Sequence, residues 1–324
     1  MSRSGDSEGM KPSQRIIAGA GTALLVANFI GGCASTADHA GATSTAGASR
    51  AASSSSTPST AGAARTAAAF RALESRYGAD LGVHAVDTRT GRTVDFDADR
   101  RFAFASTYKA LAAGVLLRRD TGAQLSQTIH YTAADLVDYS PITEQHLSTG
   151  MSLGDIIAAA LQYSDNTAAN LMLEQLGGPQ GLQSALRGLG DTTTNVDRTE
   201  PDVNTATPGD PRDTTTAAAI GTDLRAFVLG AALTPARRER LAALMRGNTT
   251  GGPYIRAGVP ADWTVGDKTG NGGWGTRNDV GVAWLPDGDT VVVSILSDRH
   301  TSGASSDDAL LADATKAVVA GLGD

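Results

Sequence analysis

Cysteine occurs once in the 324 residues, at Cys33, and lysine only four times, at Lys11, Lys109, Lys268 and Lys316. With a single cysteine, the folded part of the chain has no internal disulfide. No basic run occurs anywhere, and a formal net charge of -7 with a pI near 5.2 argues against nucleic acid as a partner. The five histidines, His39, His84, His130, His146 and His300, lack metal-ligand spacing, which argues against zinc hydrolysis and leaves no metal to assign. There is no GxSxG elbow and no glycine-rich strand-to-helix turn, so neither an α/β-hydrolase nor a nucleotide cofactor is indicated.

What is there suffices for a real core, since 41% of residues are hydrophobic and 19% charged. Residues 1–33 read as an export signal: a polar start with Lys11 and Arg15 precedes "IIAGAGTALLVANFIGGC", apolar and closing on small residues. Its "IGGC" end resembles a bacterial lipobox, with Cys33 as the lipidation candidate. An ordinary cleaved secretory signal and a membrane anchor are the alternatives. All three readings take the protein out of the cytoplasm, and the lipobox would attach it to the outer face of the bacterial cell membrane. Residues 34–64 are small, polar and aperiodic, which predicts a flexible linker and a fold beginning near Arg65.

Phe70, Leu73 and Tyr77 stand at helical spacing before Gly78, and "LGVHAVDT" and "TVDFDA" flank "RTGR" as a hairpin. Patterns from 103 to 246 are mostly helical. Ser152 and Asp155 open one helix as a capping pair, a double glycine closes the next, and Pro179 starts a third. Strands return at 264, and a final helix ends the chain. The expectation is an α/β (α+β) fold, with residues 65–102 and 247–324 forming an antiparallel sheet flanked by the terminal helices. The segment 103–246 forms an inserted helical domain. The 195–216 stretch carries Pro201, Pro208 and Pro211 without periodicity, and a loop that long in a compact domain is functional or disordered. Arg198 and Asp213 near its ends could close it with an ion pair.

Two of the rare lysines sit in chemically suggestive places. Ser106 and Lys109, three apart, share one helix face, and a desolvated lysine can exchange a proton where arginine cannot. Ser164 and Asn166 lie in "YSDN" between two helices, and Lys268, Thr269, Gly270 and Asn271 begin "KTGNGGWGTRND" on a strand. Singly, each has an ordinary reading: Ser106 caps a helix, SDN caps another, KTG is a strand turn. The ordered set SxxK, SDN, KTG resembles that of class A serine β-lactamases and penicillin-binding proteins. Glu200 and Asn204 in "RTEPDVN" are similar to the loop motif of the β-lactamases, and the resemblance runs from about 65 to 324.

That resemblance implies the β-lactamase/transpeptidase-like fold, with an active site where the helical and sheet parts meet. It also implies a small β-lactam as substrate, no cofactor and a monomer. It would make Ser106 the nucleophile, with Lys109 or Glu200 (through water) as acylation base. Glu200 with Asn204 would drive deacylation. Ser164 would relay a proton, and Asn166 would hold the substrate amide and the lysine. Lys268, Thr269 and Arg277 would seat the substrate carboxylate, Ser106 and Asn271 would supply oxyanion N–H groups, and Tyr139 would stand at the entrance. The hydrolysis would extend to penicillins and, as a wider range, cephalosporins, conferring antibiotic resistance. A D-alanyl-D-alanine peptidase and a β-lactam sensor domain are the alternatives: Glu200 speaks against the first, and the second needs a transmembrane partner segment where the chain offers only the export signal. Asn271 departs from the smaller residue usual after KTG. Ala105 before the nucleophile, with no second cysteine, excludes the disulfide of one carbapenem-hydrolysing branch.

Overall fold

The computed structural model describes residues 60–323. The export segment, Cys33 and linker residues 34–59 lie outside the described residues. Linker residues 60–64 need correction: helix α1 spans Thr60–Tyr77, five residues earlier than Arg65. The reason is local, because "TAGAA" is alanine-rich and alanine is the best helix former, so small composition alone does not mark a coil.

After α1 the chain forms β1 (Asp80–Asp87), β2 (Thr93–Phe96) and β3 (Arg101–Ala103), then α2 (Tyr108–Arg119) and the short α3 (Gly122–Leu125). The two-residue strands β4 (Thr128–Ile129) and β5 (Met151–Ser152) precede α4 (Leu153–Gln162), α5 (Asn166–Leu176) and α6 (Pro179–Arg187). Then come β6 (Thr214–Thr216), α7 (Ala217–Val228), α8 (Pro235–Arg246), α9 (Ile255–Gly258), β7 (Thr264–Asn271), β8 (Arg277–Trp284), β9 (Thr290–Asp298) and α10 (Asp308–Gly323).

Five strands form one antiparallel sheet in the order β2-β1-β9-β8-β7, with pairs such as His84↔Ser294 and Lys268↔Val280 fixing its register. The period of two on β9 divides its side chains between two cores. Val291, Val293 and Ile295 join Phe70, Leu81, Leu311 and Val318 under α1 and α10, while Val292 and Leu296 join the helical core on the other face. The first and last helices therefore cover the same sheet face, as the sequence predicts.

The helical core centres on α2, whose residues Tyr108 to Leu117 are all buried. A helix apolar around its whole circumference has to be enclosed by others, here α4, α5, α7 and α8. Local signals set its neighbours. The Ser152 side chain accepts the Asp155 N–H at 3.1 Å to start α4, and Gly177, at φ 88°, ends α5 in the left-handed conformation that glycine adopts without strain. The consequence for function is placement: the turn that leads into α2, residues 105–107, meets strand β7.

Candidate active site

Ser106 sits in a single 3-10 turn, Ala105–Thr107, that leads directly into α2. The helix-cap reading of Ser106 does not hold, because the cap position of α2 is Thr107 and no side chain caps it. Ala105 is held at φ 46°, a left-handed conformation rare for residues other than glycine. Such outliers gather at functional sites, and Ser164 (φ 59°) and Tyr139 (φ 64°) share it. Gly270 on β7 is required by close approach: a Cβ there would lie 2.8 Å from the Phe104 carbonyl oxygen and 3.2 Å from the Thr107 nitrogen.

The SDN turn divides its work between the two ordinary possibilities. Asp165 is indeed a cap, accepting the Ala168 N–H at 2.8 Å, and it also holds the Ile142 and Thr143 N–H groups at 2.9 Å. Ser164 and Asn166 instead face the lysines. Lys109 donates to the Ser164 carbonyl at 2.8 Å and to Asn166 Oδ1 at 2.7 Å, and stands 3.0 Å from Glu200 Oε1. Lys268 donates to Ser164 Oγ at 3.0 Å and to its neighbour's carbonyl, that of Thr269, at 2.8 Å. None of the Lys109 hydrogen bonds among the described residues runs to Ser106.

Both lysine side chains are fully buried, which disfavours their charged forms. Burial pulls Lys109 below the ordinary lysine range, and the Glu200 carboxylate opposes that fall. Burial, then the like charge of Lys109, brings Lys268 down to about 7. A lysine with a lowered pKa can carry or release a proton, which an arginine in its place could not.

Glu200 is supplied by the 195–216 loop, which is ordered as an ion-paired ring. Arg198 Nε contacts Asp213 Oδ2 at 2.5 Å, and the fully buried Asp213 also accepts the Asp197 and Arg198 N–H groups. The expected closure of the loop is therefore present. A buried charge without these partners would be strongly destabilising. Asn204 Nδ2 donates to Glu200 Oε2, and Asn204 Oδ1 is buried with no protein donor. Asn170, absent from the sequence reading, clamps the Glu200 backbone from both sides, its Oδ1 accepting Glu200 N–H at 2.8 Å and its Nδ2 donating to the carbonyl at 3.0 Å.

A cleft of about 250 Å³ is lined by Ser106, Tyr139, Ser164, Asn166, Asn204, Thr250, Thr269 and Asn271. Tyr139 is 61% exposed at its rim. Thr269 Oγ1 pairs with Thr250 Oγ1 at 2.6 Å, a neighbour that no local pattern announces. Arg277 lies outside this lining: Nη1 donates to the Tyr254 hydroxyl at 2.9 Å and Nε stands 3.1 Å from Asp308 Oδ1. A larger cleft of about 330 Å³ beside Arg101 and Asp210 contains none of the three motifs. Asp80, Asp298 and His300 bring three potential ligand atoms together, but the Arg100 guanidinium already binds Asp80.

An SxxK serine followed by one of two buried lysines, with a clamped carboxylate against that lysine, defines a serine hydrolase that works through an acyl-enzyme. The comparisons with known proteins give that class its family. Residues 65–322 match the model of the "Beta-lactamase enzyme family". The chain is 52% identical over 247 residues to a β-lactamase of Bacillus amyloliquefaciens, covering 76% of this chain and 81% of that one. It is likewise 52% identical over 257 residues to β-lactamase AST-1 of Nocardia asteroides, covering 78% and 83%. Its fold is similar to the crystal structure of a class A β-lactamase from Clostridium kluyveri, with a TM-score of 0.80, 44% identity and 81% and 100% coverage. The chain belongs to the β-lactamase enzyme family, and it is a class A serine β-lactamase. The penicillin-binding peptidase alternative is not favoured.

Proposed function

We propose that this β-lactamase opens penicillin and cephalosporin rings by acylation of Ser106 and hydrolysis of the ester with Glu200 as base, so conferring antibiotic resistance. The observation that supports the reading most is the buried Glu200 carboxylate, joined to Lys109 and to the cleft residue Asn204. In acylation, Ser106 Oγ bonds to the lactam carbonyl carbon and its proton passes to neutral Lys109, or through water to Glu200. The C–N bond then breaks, and Ser164, hydrogen-bonded to Lys268, would hand its proton to the ring nitrogen and recover one from the acylation base. Backbone N–H groups of Ser106 and Asn271 would receive the developing oxyanion. Lys268, Thr269 and Arg277 would seat the substrate carboxylate, Asn166 its amide side chain, and Tyr139 would border the entrance.

In deacylation, Glu200 takes a proton from a water that Asn204 also binds. The proposal extends to an exported monomer, secreted or held at the outer face of the cell membrane through a lipidated Cys33. Intact-mass spectrometry of the peptides around Cys33 from the native host tests that attachment: a diacylglyceryl mass supports it, an unmodified or removed cysteine overturns it.

The catalytic reading is tested by nitrocefin turnover and by intact mass after benzylpenicillin exposure, for wild type and Glu200→Ala. Turnover by wild type, with an adduct persisting on Ser106 only in the variant, is expected. A persistent adduct on wild type would remove Glu200 from the deacylation step.

A further inference from the structure

Tyr108 stands inside the SxxK motif itself, one residue before the lysine, and it is 1% exposed. Its ring packs on Phe104 with centroids 5.5 Å apart. A buried phenol has to place its hydroxyl proton on an acceptor. The acceptor it has is Glu200 Oε1, at 3.3 Å. Lys109 Nζ approaches that same oxygen at 3.0 Å, while Asn204 Nδ2 donates to Oε2.

An ionised carboxylate offers roughly four lone-pair positions, about two on each oxygen. Tyr108 and Lys109 fill both on Oε1, and Asn204 fills one on Oε2. The remaining position is on Oε2, on the side of the carboxylate that Asn204 serves. There Asn204 Oδ1, buried and without a protein donor, offers a second acceptor to the same small donor.

From this geometry we infer that Tyr108 is a positioning residue: it closes Oε1, assigns Oε2 as the oxygen that takes the proton of the hydrolytic water, and restrains Glu200 as a base. The inference rests on the reading of Glu200 as the deacylation base and of Lys109 as the acceptor of the Ser106 proton in acylation. In that step the water oxygen bonds to the ester carbonyl carbon as its proton moves to Oε2. The intermediate then collapses with cleavage of the C–Oγ bond, and Ser106 Oγ recovers the proton from Glu200. A hydrogen bond to the carboxylate favours its charged form, so every fixed donor opposes the proton uptake that the step requires. Tyr108 is a permanent donor of this kind. Burial, reinforced by the adjacent Glu200 charge, holds its hydroxyl proton well above the ordinary tyrosine range.

The test compares wild type, Tyr108→Phe and a series carrying fluorinated tyrosines at position 108, whose more acidic phenols donate more strongly while keeping the shape. Acylation and deacylation rate constants are read separately by rapid quench and intact mass with benzylpenicillin. Tyr108→Phe is expected to deacylate about threefold faster, with acylation essentially unchanged. The fluorotyrosines are expected to slow deacylation in order of phenol acidity. Unchanged or slower deacylation in Tyr108→Phe, no dependence on acidity, or parallel changes in both rate constants would overturn the inference, the last by reducing Tyr108 to a packing residue. A wild type that turns over while the series stays flat refutes this role alone. A wild type that stays acylated refutes the base itself, and this role with it.

Discussion

Two regions of this molecule are equally buried and built on opposite terms. Under α1 and α10, Phe70, Leu81, Val83, Ile295, Leu311 and Val318 are all 0% exposed and wholly apolar. At the seam between α2, the 195–216 loop and β7, Lys109 and Lys268 are also 0% exposed, as is the Glu200 side chain. Apolar burial stabilises by about 1.5–3 kcal/mol for each large side chain and needs no particular partner. Burial of charge is favourable only where every donor and acceptor is met, so the seam is specified atom by atom. The apolar layer holds the sheet, and the seam holds the two depressed lysines and the clamped carboxylate to which the proposed reaction assigns its proton transfers.

The comparison is broken most severely at Lys109. Lys109→Arg puts a permanent cation opposite Glu200 and leaves no group there able to accept the Ser106 proton, so acylation is expected to fall about 10³-fold while the fold survives. Rapid-quench mass spectrometry with benzylpenicillin reads this directly, and near-wild-type acylation would refute the proton-acceptor role. The apolar layer should respond in the opposite manner. Phe70→Ala removes a ring that packs 5.2 Å, centroid to centroid, from Phe96. It is expected to lower stability by about 3 kcal/mol in urea unfolding, with kcat of the folded enzyme within about twofold of wild type. A large loss of kcat would mean that the two regions are coupled through the sheet.

The apolar layer was legible in the sequence because its signals are local. Phe70, Leu73 and Tyr77 recur at helical spacing, β9 alternates, and the Ser152 cap lies three residues from its partner. The motifs of the site were legible for the same reason, as was the Arg198–Asp213 pair at the two ends of one loop. The supports were not. Tyr108 meets Glu200 across 92 residues and Asn170 meets it across 30, and no short-range period links positions so far apart. Tyr254 and Asp308 converge on Arg277 only because α9 and α10 pack against the sheet beside β8. The start of α1 was misread for the converse reason: an alanine-rich stretch has the composition of a tether and the propensity of a helix.

The finest division of the comparison lies within the seam, between the two lysines. Lys268 is brought to about 7 from the usual 10.5, so its side chain is charged below neutrality and loses its proton as pH rises through about 7. An anionic substrate needs the charged form, and a bound carboxylate would draw the proton back. The effect therefore belongs to the free enzyme: kcat/KM should fall on the alkaline side of neutrality, by up to tenfold per pH unit, while kcat stays flatter. Lys268→Arg remains charged throughout, so its kcat/KM should lose the alkaline limb even though its absolute value is lower. Arginine also reaches further than lysine, which is why the shape of the profile, and not its height, discriminates. A limb that persists in Lys268→Arg would assign the titration to another group, with Lys109, also depressed by burial, the next to test in the same way.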